Sequence, residues 1–205
     1  MKEFIKKRWP WILLGLILLI VLAAVLWFVC RHEEEPILGK PTLTVETPQK
    51  LSASQREEFT LDVSVSHLGE ARYPAASMSI AFDPSRLEFL GIEEGNVFIL
   101  SDESSTGQQL PNWSYNTDNS NTTGLINIMY LDMTGGRNAF SAELLGESDN
   151  VVLRLKFRLR GSVRAGDVLD LTVEDAVFAA TDENQSLAMI ADTLGVKNGR
   201  LVIGE

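Results

Sequence analysis

SMSIAFDPSRLEFLGIEEG, residues 77–95, is a strand, a corner and a second strand. Met78, Ile80 and Phe82 alternate with Ser77, Ser79 and Ala81, the period-two pattern of a strand with one buried face. Asp83-Pro84-Ser85 stops it, because proline fixes φ and cannot donate to a ladder, and an aspartate opening a turn bonds the backbone two residues on. Leu87, Phe89 and Ile92 restart an apolar run that closes at Glu93-Glu94-Gly95.

The same grammar extends in both directions. Upstream, Leu43 and Val45 begin a short strand, and Phe59, Leu61, Val63 and Val65 alternate with Thr60, Asp62, Ser64 and Ser66. Downstream come strands over Leu125–Asp132, Val151–Arg160 and Val168–Ala179, then a last one over Arg200–Ile203 after the turn dipeptide Asn198-Gly199. Residues 101–123, rich in Ser, Thr, Asn and Asp, read as loop, with a short strand near Trp113–Tyr115. Gly135-Gly136 breaks the chain, and Phe140–Leu145 suits a helical turn. About nine short strands separated by turns predict an all-β fold, a two-sheet sandwich.

Ahead of this domain, Trp9 to Val29 is an apolar run without an internal charge, long enough to span a membrane as a helix. Lys6, Lys7 and Arg8 precede it and Glu33–Glu35 follow, which orients the N-terminus to the cytoplasm and the remainder outward. The expected organisation is a basic tail (1–8), a transmembrane signal-anchor (9–30), a spacer (31–40) and an extracellular β-sandwich (41–205), giving a single-pass protein of the cell membrane. A cleaved signal peptide fits less well, since the run is long and ends in Trp27-Phe28-Val29. The same bulky residues disfavour lipidation of Cys30.

Charge separates along the same boundary. Lys2, Lys6, Lys7, Arg8 and Arg31 outweigh Glu3 by four before His32, so of the chain's net −10 the remainder carries −14. Such an acidic domain argues against nucleic acid, whose phosphates require Lys and Arg. Cys30 is the one cysteine, so no intrachain disulfide exists. Catalysis finds no support: His32 borders the apolar run, His67 ends a strand, and neither stands by a nucleophile. Asp83 and Glu88 resemble a carboxylate pair, yet the turn accounts for Asp83 and strand exposure for Glu88. The Asn116–Asn121 stretch lacks the ligand order of a calcium loop and reads as a flexible Asx-rich loop, so neither metal nor cofactor is expected. The stripe Arg154, Lys156, Arg158 and Arg160 reads as a solvated strand face paired with neighbouring acids such as Asp62.

Four segments together resemble the cohesin domain, the module by which scaffoldins capture dockerin-bearing enzymes. Phe82-Asp83-Pro84-Ser85-Arg86-Leu87-Glu88 resembles that family's aromatic-Asp-Pro corner, and Gly124-Leu125-Ile126 through Asp132 its Gly-x-Ile strand. Leu153–Arg160 is similar to its seventh strand, and Val196–Leu201 to its terminal Asn-Gly strand. The resemblance implies a nine-stranded jelly-roll sandwich related to carbohydrate-binding modules. It also implies a dockerin-binding sheet built here from Val168–Ala179, Ala75–Asp83, Leu125–Asp132 and the Trp113–Tyr115 stretch. Ser77, Ser79, Ala81, Asn127, Met129, Leu131, Thr172 and Glu174 are then the expected partner-binding residues. The chain departs from the family pattern in having Ala75 and Ser77 where Asn and Asp are common, and Gln55-Arg56-Glu57-Glu58 in place of a Gly-Asp pair.

The expected function is non-enzymatic capture of a protein partner, of dockerin type, at the cell surface in the service of polysaccharide degradation. An alternative from another class is a carbohydrate-binding module using Trp113 and Tyr115, whose rings would stack on polysaccharide. A structural subunit of an envelope assembly is a third.

Overall fold

The computed structural model describes residues 39–48, 51–99, 109–135, 137–145, 150–181 and 186–205. The apolar run 9–30 and the tail 1–8 lie outside them, and among the described residues no helix is long and apolar enough to cross a membrane.

Lys40–Glu205 forms one compact unit. Its elements in chain order are β1 (Thr42–Val45), β2 (Leu51–Ser52), β3 (Phe59–Val65), β4 (Ala75–Ala81), β5 (Leu87–Glu94), α1 (Thr117–Thr123), β6 (Leu125–Leu131), β7 (Val151–Leu159), β8 (Val168–Ala179), β9 (Gly195–Lys197) and β10 (Gly199–Gly204), with a 3-10 turn at Ala142–Leu144. Two five-stranded sheets result, ordered β5-β7-β3-β1-β9 and β2-β10-β8-β4-β6. The all-β sandwich expected from the sequence is present, but with ten described strands in place of about nine. β2 and β9 are two and three residues long, too short for alternation to register. The Trp113–Tyr115 stretch is not a strand; Ser114 makes only an isolated bridge to Met129.

Alternating side chains of the two sheets meet in the core. Met78, Ile80, Ile126, Ile128, Leu155 and Phe157 are each at most 2% exposed. Aromatic rings gather in two groups. Phe157 contacts Phe59, Phe82 and Phe89, with Tyr115 against Phe89. Phe140 contacts Trp113, Tyr130 and Phe178, with Tyr73 against Phe178.

The corner after β4 is held by Asp83, whose Oδ1 accepts from Ser85 N at 2.9 Å and Ser85 Oγ at 2.6 Å. These bonds, the hydroxyl's first, keep its carboxyl below the usual carboxylate range. Gly124 packs on this corner: Phe82 N donates to its carbonyl at 2.9 Å, and a Cβ there would lie 2.8 Å from Phe82 O.

Residues 117–123, expected as flexible loop, are instead the helix α1. Asn116 caps its start by accepting from Asn119 N, and Gly124, at φ 75°, closes its end by donating to Ser120 O. From α1, Asn121 reaches β5, an edge strand. Its Oδ1 accepts from Phe89 N at 2.9 Å and its Nδ2 donates to Phe89 O at 2.7 Å.

Asn198-Gly199 is a crossover and not a hairpin, since β9 pairs with β1 in one sheet and β10 with β8 in the other. Asn198 Oδ1 accepts from Val173 N at 3.0 Å across that junction.

Three of the four cations in the basic stripe meet acids as the sequence suggests, whereas Arg160, just past the end of β7, donates from Nε to Leu87 O at 3.3 Å. Arg154 meets Asp62 at 3.0 Å, Lys156 lies between Glu58 (3.1 Å) and Glu93 (3.0 Å), and Arg158 between Glu58 (2.9 Å) and Glu88 (3.4 Å). The Lys156 hydrogen bond and charge hold Glu58 below its ordinary pKa, and its bond to Glu93 leads in raising Lys156. The ladder's contribution is therefore full near neutrality and fades in acid as the pH falls through the lowered Glu58 value.

Tyr130 sets the opposite limit. Burial, with the charge of Asp132 added, pushes its phenol up to about 12. A folded value above the unfolded one, near 10, means stability that is complete below pH 10 and is lost as pH rises through 10 to 12. The expected loss is about 2–3 kcal/mol. Urea unfolding at pH 9 and at pH 11.5 will show it, and Tyr130→Phe will flatten that slope.

Candidate partner-binding face

The outer surface of β8-β4-β6 follows from strand parity. Ala76, Met78 and Ile80 point inward from β4, so Ala75, Ser77, Ser79 and Ala81 point out. On β6 the inward residues are Ile126, Ile128 and Tyr130, leaving Leu125, Asn127, Met129 and Leu131 outside. Pairing places these in rows: Ala179–Ala75–Leu131, Val177–Ser77–Met129, Asp175–Ser79–Asn127 and Thr172–Ala81–Leu125.

Seven of the eight residues expected to bind a partner thus occupy aligned positions on one face. Glu174 stands differently. The ladder shifts register between Ser79 and Ile80, so that Asp175 opposes Ser79 while Glu174 is the extra residue of a β-bulge. Glu174 and Asp175 are both exposed, and beyond them Ala176 and Phe178 turn inward while Val177 and Ala179 turn out. Counting by twos along β8 therefore selects Glu174 and passes over Asp175 and Val177. The adjacent acids in Val173-Glu174-Asp175-Ala176, which interrupt the alternation, are the sequence signal of the bulge.

The face is flat, largely uncharged and apolar at its β6 border. Met129 is 51% and Leu131 53% exposed, unusual for large apolar side chains of an ordered strand. Ser79 Oγ donates to Asn127 Oδ1 at 2.8 Å, so the central polar groups are tied to each other. A shallow depression of ≈ 480 Å³ runs between Ser77, Ser79, Asn127 and Met129, rimmed by Tyr115.

Trp113 and Tyr115 do not form a platform. Trp113 is 7% exposed and stacks on Phe140 with centroids 5.8 Å apart, so it is a core ring; Tyr115 alone of the pair is exposed. Among the described residues no group of three or more His, Cys, Asp or Glu could hold a metal ion.

A family model described as Cohesin domain matches residues 44–196. Among solved structures, the Coh-OlpC–Doc435 type I cohesin–dockerin complex from Clostridium thermocellum is similar at TM-score 0.58 and 15% identity, over 84% of this chain and 99% of that one. The sixth cohesin of Acetivibrio cellulolyticus scaffoldin B, in complex with a Cel5 dockerin mutant, gives 0.57 and 16% over 80% and 99%. A non-cellulosomal cohesin from the archaeon Archaeoglobus fulgidus gives 0.52 and 13% over 81% and 92%. At these identities the likeness is one of fold. No curated protein sequence matches this chain.

Proposed function

Because this chain belongs to the cohesin domain family, we propose that its β8-β4-β6 face captures a protein partner of dockerin type. The supporting observation is the exposed Met129–Leu131 border beside the small outward residues of β4, a surface whose desolvation favours association. The apolar run 9–30 supports a second element: the domain is displayed outside a cell on a single membrane anchor and tethers an enzyme of polysaccharide degradation there.

Calorimetric titration of the Lys40–Glu205 unit with type I dockerin modules tests the capture. Met129→Asp will weaken binding at least about tenfold, because a carboxylate must then be buried without a partner. The unfolding midpoint will stay close to that of the parent, since the site is half exposed. Unchanged affinity would remove this face, and failure of every dockerin tried would remove the partner class. Protease protection of the intact chain in membrane vesicles tests the orientation.

A further inference from the structure

We infer that one end of the sandwich, marked by Met133, Leu187 and Ile190, rests on the lipid surface outside the cell and seats these three side chains among its headgroups. The inference rests on the single-anchor reading above and goes beyond it, giving the domain a second hold on the membrane.

Among the described residues, the exposed large apolar side chains fall into two sets. Met129, Leu131, Val168, Val196 and Val202 stand on strands, and Tyr115 rims the face described above. Met133, Leu187 and Ile190 lie in connecting segments and are 85%, 43% and 42% exposed. All three gather where β4 begins. Met133 follows Asp132, whose N–H donates to Pro74 O at 2.8 Å. Leu187 O accepts from Tyr73 Oη at 3.2 Å. Ile190 follows Met189, which bridges Phe178, the β8 residue paired with Ala76. Apolar side chains of this size favour leaving water, so their gathering at one end of the domain marks a contact surface.

The covalent path selects lipid as the occupant. The residues ahead of β1 enter beside the turn that Ile190 opens: Lys40 Nζ donates to Ala191 O at 3.0 Å, and Gly195 N to Pro41 O at 2.6 Å. The nine residues 31–39 separate Lys40 from the apolar run 9–30. Fully extended, such a spacer reaches at most about 30 Å. An anchor in the bilayer therefore keeps this end close to the headgroups, at a local concentration where weak contacts count. Separated side chains on loops suit a surface that yields around each one, with Met, Leu and Ile entering the headgroup boundary singly. A protein partner instead requires about 800 Å² of closely packed area on each side. With this end down, β4 leads away from the lipid, and the β8-β4-β6 face stands upright and open to a partner.

The test uses the full chain with Cys30→Ser, which leaves no native thiol. A single cysteine then enters by Met133→Cys, Ile190→Cys or Val202→Cys and carries a polarity-sensitive NBD dye. All three positions are exposed, so the core is untouched, and Val202, paired with Val168 at the start of β8, is the control from the opposite end. The chain is reconstituted in phosphatidylcholine vesicles containing a nitroxide lipid; this lipid has no net charge, so the readout is apolar entry. The first two labels will shift to the blue and be quenched at least about twofold more than the third. Leu187→Asp will weaken that quenching, because a carboxylate resists leaving water. Equal quenching at the three positions, or none, on a chain that floats with the vesicles overturns this inference alone. A chain that does not float refutes the anchor and this inference together. A blue shift without nitroxide quenching, lost as the chain is diluted in lipid, assigns the end to contact between copies and also overturns it.

Discussion

Gly95→Ala will destabilise the domain by about 3–5 kcal/mol, a large part of the 5–15 kcal/mol that holds a typical domain together. A methyl group at this position would overlap the Val151 carbonyl oxygen and lie 2.6 Å from the Val152 carbonyl. Every obstructing atom is backbone, so no side chain can swing aside. The obstructed carbonyl is also an acceptor, taking bonds from Asn96 N at 2.7 Å and Val97 N at 3.2 Å, while Val151 N donates to Asn96 Oδ1 at 2.7 Å. Making room for a methyl breaks this junction between the end of β5 and the start of β7, and each buried group left without a partner costs about 1–3 kcal/mol. For a domain of this size the melting temperature should fall by about 6–20 °C. Gly161→Ala is the control: nothing lies within 4 Å of a Cβ there, and it should stay within about 0.5 kcal/mol of the parent. A Gly95→Ala protein as stable as that control would refute the close approach.

The second large effect is expected at Asn121. Asn121→Leu keeps the volume and removes both bonds to Phe89, orphaning an N–H and a C=O on β5. The expected loss is about 3–4 kcal/mol by urea unfolding. Asn121→Asp retains an acceptor for Phe89 N and loses the donor to Phe89 O, so it should fall between parent and Leu. Hydrogen exchange at the Phe89 amide gives a local reading. It should accelerate strongly in Asn121→Leu and less in Asn121→Asp, and equal protection in all three proteins would show that the carboxamide holds nothing in place.

What could be read from the sequence follows from how each element earns its stability. β3, β7 and most of β8 bury one face against the opposite sheet, so burial leaves alternation that any reader of the chain can see. The Asp83-Pro84 corner is local chemistry and equally visible. Helix α1 is different: TDNSNTT consists of weak helix formers, and its stability comes from its Asn116 and Gly124 caps, from buried Ser120 and from the grip of Asn121 on a strand far away in sequence. Composition alone therefore reads as loop. Trp113 misleads for a related reason, because an aromatic in a polar stretch suggests exposure until Phe140 and Tyr130 close over it. The face itself was legible on β4 and β6, where parity is unbroken, and only half legible on β8, where one inserted residue exchanges Asp175 for Glu174.

The carboxamide on Phe89 has a further consequence for molecules held close together. A sheet margin with free amide and carbonyl groups is a template on which a neighbouring chain can lay down its own strand, and repetition of that step makes a filament. By occupying the Phe89 position of the β5 margin with a side chain of its own, the domain withholds that part of the template. At that position, contact between copies meets a carboxamide already bonded in place of an open strand edge, on a chain whose net charge of −10 also repels its like.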